Sequence, residues 1–182
     1  MAVGTPENTK AAKRVVALVA LSLVLLPFFD AHAESWTTRP TENVQAELAT
    51  LLGCTWQTPT NPIQCYGGSL EVILVVIPDK IDGTIAQMTT GTVIVSYPRD
   101  RARETRSRET TAKLLAYLFP EWKSSSAWLT KALNKVRASY DDMPTSITVG
   151  GATIQVRWLE TMQNDTYAQL TITKKGPWDG KP

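Results

Sequence analysis

From Val72 to Ile77 every side chain is aliphatic and most are β-branched, with Gly67 and Gly68 shortly before the run and Pro78 and Asp79 closing it. A helix needs more residues than this. A short β-branched run bounded by turn residues reads instead as a strand. Apolar residues at successive positions place apolar groups on both faces of an extended segment, so the sequence predicts a strand buried on two sides. The rest of the chain must then supply elements to cover it.

The start of the chain bears on compartment. Lys10, Lys13 and Arg14 precede an apolar run from Val15 to Phe29, and Ala31, His32 and Ala33 form a small-x-small pattern after it. That is the order of a secretory signal peptide, with cleavage expected after Ala33. The apolar run is 15 residues long with Pro27 inside it, short of the roughly 20 that span a bilayer. No later segment is apolar for long enough to span once the leader is removed. Removing residues 1–33 from the 182 leaves 149, enough for a single domain, 34–173, with 174–182 as a flexible tail. The leader takes with it three of the 19 basic and two of the 17 acidic residues, so net charge falls from +2 to +1. It also removes His32, the one histidine.

Export places Cys54 and Cys65, the two cysteines, in an oxidising compartment where pairing is the default. With Thr58 to Asn61 as a Pro-containing turn, Trp56 would face Ile63 and Cys54 would face Cys65, within reach of a disulfide. Ahead of this hairpin, Pro40, Thr41 and Glu42 start a helix that runs to Leu52 and stops at Gly53, with Thr41 as its cap. Beyond the aliphatic strand a second β segment is strongest over Thr92 to Tyr97, with Gly91 as a break or bulge. Helices follow at about Arg103 to Leu118 and after a Ser124-Ser125 cap, where Trp128, Leu129, Ala132, Leu133 and Val136 recur at helical spacing. Three further strands alternate around a Gly150-Gly151 turn and a turn at Asn164 and Asp165. The predicted order is αβββααβββ after a cleaved signal peptide, an α+β fold with helices packed on one face of a mainly antiparallel sheet.

Chemistry is bounded from below. Without histidine, Ser-His and Cys-His catalysis and histidine-bound metals are excluded, and a disulfide removes the thiolate; no metal site or cofactor is expected. A pair of carboxylates would suffice for glycoside cleavage, and Asp79, Asp82, Asp141, Asp142, Glu160 and Asp165 all fall near turns, where their side chains already have a local role. The unusual polar feature is Arg99, Arg101, Arg103, Arg106 and Arg108, five arginines in ten residues at a helix start, where the dipole disfavours cations. Guanidinium groups suit carboxylates and phosphates, so an anionic envelope polymer or an acidic protein surface is the matching partner. Asp100, Glu104 and Glu109 are internal alternatives for the same charges. Nucleic acid does not fit an exported chain of this net charge. The expectation is a non-enzymatic binding or accessory module of the cell envelope, periplasmic or secreted. The alternative is a small polysaccharide hydrolase using two carboxylates.

The leader reading is checked by N-terminal sequencing of the exported protein. The expected first residue is Glu34, and recovery of an intact Val15 to Phe29 segment in the membrane fraction contradicts it.

Overall fold

The aliphatic run does form a strand, Leu74–Pro78 (β3), but it is buried on one side only. Leu74 and Val76 are fully buried, whereas Ile73 and Ile77 are 37% and 38% exposed. The reason lies in the layers. In the computed structural model the strands form one seven-stranded antiparallel sheet whose single apolar core is shared with the helices, and the opposite face of β3 has no helix against it among the described residues. These are residues 35–57, 62–68, 70, 73–139, 144–162 and 165–174. The expected leader, the Thr58 to Asn61 turn, Asp141, Asp142 and residues 175–182 lie outside them.

In chain order the elements are Thr41–Leu52 (α1), Thr55–Gln57 (β1), Ile63–Tyr66 (β2), β3, Ile85–Val95 (β4), Arg101–Leu118 (α2), Ser125–Ser139 (α3), Thr145–Val149 (β5), Ala152–Met162 (β6) and Asp165–Lys174 (β7). The class is α+β as the sequence predicts, with the disulfide hairpin supplying two strands, so that four strands precede α2. Lys174, assigned from sequence to the tail, ends β7 opposite Ala152. In space the strands run β1-β2-β3-β4-β7-β6-β5. The register places Met88, Ile172 and Ile154 in one cross-strand row and Thr90, Leu170 and Val156 in the next, and all six are buried. Burying each large aliphatic side chain contributes about 1.5–3 kcal/mol. The intervening row, Thr89, Thr171 and Gln155, faces the other way and is half-buried, which is the period-two alternation of a sheet covered on one face.

Helix α1 has the predicted bounds but not the predicted cap. Pro40 occupies the N-cap position, and both the amide and the hydroxyl of Thr41 donate to the Gly83 carbonyl, at 3.0 and 2.7 Å. The tertiary acceptor wins because it fixes α1 to the β3–β4 turn. At the other end Gly53 is left-handed with φ 64°. Cys54 and Cys65 are bonded, with Cα atoms 5.6 Å apart. The hairpin register differs by two residues from the sequence expectation, since Trp56 faces Cys65 and not Ile63. A shift of two keeps every side chain on its face, so the bridge forms diagonally. It draws β2 so close to α1 that a Cβ on Gly68 would lie 2.1 Å from the Gly53 carbonyl oxygen.

Helix α2 starts two residues earlier than predicted because Asp100 caps it, its carboxylate accepting from the Arg103 amide at 3.0 Å. Its buried stripe is polar in the first half, with Glu104, Ser107, Thr110 and Thr111, and apolar in the second, with Leu114, Leu115 and Leu118. The polar half meets the irregular end of β4. The ladder shifts between Val93 and Val95, and Gly91 stays in register opposite Gln169. Side chains of α2 satisfy the backbone groups there: Ser107 Oγ accepts from the Val93 amide at 2.9 Å, and Glu104 Oε1 accepts from the Ser96 amide at 3.0 Å. Buried amides need such acceptors. Helix α3 packs on β6 and β5.

The close approach at Gly68 makes a prediction. Gly68 and Gly67 both have positive φ, 65° and 85°, but a Cβ on Gly67 meets nothing within 4 Å. Gly67→Ala should therefore cost only the conformational penalty, about 1–2 kcal/mol, and Gly68→Ala clearly more, because backbone must move. Urea denaturation of the two variants separates them, and equal losses would contradict the packing described.

Candidate functional site

Pro120 ends α2, and the chain turns tightly beneath it. The Phe119 amide bonds to the Leu115 carbonyl and the Trp122 amide to that of Phe119, each at 2.9 Å. This turn gathers aromatic side chains that are scattered in sequence. Trp36 meets Phe119 edge to face with centroids 6.2 Å apart, Phe119 meets Trp122 likewise at 6.2 Å, and Trp122 lies 5.4 Å from Trp128. Gly150, in the β5–β6 turn with φ 55°, lies against Phe119, where a Cβ would meet the ring edge at 3.6 Å, an ordinary contact. Trp36, Phe119, Trp122 and Gly150, with Ser35, Arg39, Glu47, Tyr117 and Val149, line an open groove of about 680 Å³.

The groove is apolar along its aromatic wall and polar at one end. Arg39 donates to Glu47 through both terminal nitrogens, Nη1 to Oε2 at 3.1 Å, and the Tyr117 hydroxyl donates to the same Oε2. The hydrogen bond from Arg39, and after it that from Tyr117, holds Glu47 below the usual carboxylate range. Burial first, and the bond to Glu47 second, push the Tyr117 phenol up to about 12. Glu47 is thus ionised at neutral pH and has no proton to give, which suits a fixed binding wall better than general-acid work. Trp36 is only 3% exposed, and its indole Nε1 is buried with no hydrogen-bond partner among the described residues. A buried, unpaired donor costs about 1–3 kcal/mol.

The five arginines named from sequence do not share one surface. Arg99 bridges Glu104 at 3.0 Å and Arg103 bridges Asp165 at 2.5 Å. At about 100° per residue, Arg101 and Arg108 lie on one side of α2 and Arg103 and Arg106 on the other. Arg101 and Arg106 are exposed and Arg108 is half-buried. Sixteen residues separate Arg101 from Tyr117 along α2, about 24 Å at helical rise, so the arginine segment and the groove occupy opposite ends of one helix.

Of the candidate carboxylates, Asp79 and Asp82 meet at Lys174 Nζ, at 4.0 and 2.6 Å, and Asp165 stands at the other end of β7. Asp79 accepts from the Ile81 amide at 2.9 Å. Asp82 accepts from the Thr84 amide and hydroxyl and from Lys174, whose hydrogen bond is the largest cause of its lowered pKa. Asp165 is 5% exposed and accepts from the Tyr97 amide, Arg103 and the Tyr167 hydroxyl. The side chain of Glu160 and both Asp141 and Asp142 fall outside the described residues. Among the described residues no three metal-ligating side chains come together, and no helix is long and apolar enough to cross a membrane. Compared with family models, curated proteins and solved structures, the chain matches none.

Sequence reasoning missed the groove. Its signal was present in Tyr117, Phe119, Pro120 and Trp122, a dense aromatic cluster at a helix stop, but Trp36 and Gly150 come to it only through the fold.

Asp165 supplies the testable electrostatic consequence. The Tyr97 amide, with Arg103 and Tyr167, lowers its pKa against the opposing effect of burial. A carboxylate depressed in the folded state stabilises it fully above the unfolded value of about 3.9, and the contribution fades as pH falls through the lower native value. Asp165→Asn should therefore destabilise by about 1–3 kcal/mol at pH 7, and the difference from the parent should shrink below pH 4. Thermal melts across that range check it, and a difference independent of pH would contradict it.

Proposed function

We propose that the protein is an exported, non-enzymatic binding or accessory module of the cell envelope, periplasmic or secreted, that contacts another macromolecule through the aromatic groove. The carrying observation is an open groove of about 680 Å³ walled by Trp36, Phe119 and Trp122, with the Arg39, Glu47 and Tyr117 cluster among its lining residues. The wall takes an apolar or aromatic side chain of a partner protein. Concave sites built this way, mostly apolar with a few placed polar groups, are the usual form of binding sites. The disulfide fits an oxidising, exported location. Arg101 and Arg108, on one side of α2, provide a separate cationic surface for an anionic envelope polymer or acidic protein face, in keeping with the weak, salt-dependent role of exposed charge.

Site-specific photo-crosslinking in the exporting cell tests the groove. With benzoylphenylalanine at Trp122, one recurrent adduct is expected, identified by mass spectrometry, and it should be lost on Phe119→Ala. The same probe at Lys113, on the middle of α2, should give none. Equal adducts at both positions, or none at Trp122, would contradict the proposal.

A further inference from the structure

We infer that β5 is a docking edge for an extended, acidic segment of a partner protein, which pairs antiparallel with β5 as an eighth strand and sends one large apolar side chain into the groove. The inference rests on reading the groove as the binding place and adds the partner's conformation and charge.

Strand β5 is last in the sheet, with β6 as its one strand neighbour, so the other side of its backbone presents N–H and C=O groups that no strand of the sheet pairs. Natural edge strands are usually blunted by charge, proline, a bulge or brevity. Thr145 to Val149 contains no charged residue and no proline, and its register with β6 is unbroken. The opposite edge differs: β1 has three residues, and the disulfide sits at its start. Strand β5 runs directly into the groove, whose wall includes Val149 and Gly150. An added strand brings backbone donors and acceptors to the outer groups of Thr145 to Val149.

Charge decides the occupant. Helix α3 packs on β5 and β6 and carries exposed Lys131, Lys135 and Arg137 with no acidic residue along its length. A strand added at β5 directs alternate side chains toward the helix side of the sheet, where carboxylates meet this cationic helix. A second copy of the chain paired through β5 would instead bring two such helices together, and like charges across an interface are disfavoured. Strand addition with side-chain pockets is an established mode of peptide recognition.

The test uses a defined probe, the peptide acetyl-Trp-Thr-Glu-Thr-Glu-Thr-Glu with a C-terminal fluorophore, titrated with the purified protein by fluorescence anisotropy. N-methylation of one alternate set of residues should weaken binding at least about tenfold, and of the intervening set less than about twofold, because only alternate residues of a strand bond to one neighbour. Exchange of all Glu for Lys should weaken it by at least about tenfold at low salt. Trp36→Phe, which replaces the indole of the groove wall by a smaller ring, should weaken it severalfold; the N-methyl scan alters only the peptide and holds even if that variant folds poorly. A peptide that binds in a Phe119-dependent way with no alternation in the N-methyl scan overturns strand pairing and leaves the groove reading intact. Binding indifferent to Trp36 and Phe119 overturns the groove reading as well. Absence of binding at about 1 mM, or a dimer in sedimentation that Ile147→Lys dissolves, overturns the inference.

Discussion

The structure depends on one apolar sheet face held in register by β4, β7 and β6. Because Met88, Ile172 and Ile154 stand in one row, and Thr90, Leu170 and Val156 in the next, a single core receives α2 and α3 from the same side. A slip of one residue in any of these strands would turn its apolar set to the other face. The rest of the architecture follows from that one-sidedness. The opposite face carries threonine and glutamine, the helices supply most of the exposed charge, and the sheet keeps two edges.

Those two edges are treated differently. On the β1 side the disulfide and the close Gly53–Gly68 contact tie a short strand to α1. On the β5 side, an uncharged strand in unbroken register with β6 ends beside an aromatic groove. Helix α2 separates two roles along its length. Its first turns form a polar seam with the end of β4 and, through Arg103, hold Asp165. Its last turn and the Pro120 stop build the groove wall.

Much of this was legible in the sequence. The helix bounds of α1, the cysteine pairing, the Gly150-Gly151 turn and the α+β class follow from local signals such as caps, turn residues and periodicity, which act over a few residues. What was not legible depends on contacts between distant segments. The aliphatic run does not reveal that one of its faces stays partly open, since that depends on where the helices lie. Thr41 reads as a cap until Gly83, 42 residues later, offers its carbonyl. The arginines read as one patch because they are dense in sequence, yet helical rotation splits them and Glu104 and Asp165 engage two of them. The groove joins Trp36, Phe119 and Gly150, which no local pattern connects.

The central claim is that the groove and the β5 edge act together as the binding face. Hydrogen exchange followed residue by residue by NMR, with and without the acidic peptide, tests it most directly. The account predicts that alternate amides of Thr145 to Val149 and the Trp36 indole N–H gain protection on binding while β7 is unchanged. Protection gained along Arg101 to Arg108 instead, with β5 and Trp36 unaffected, would contradict it.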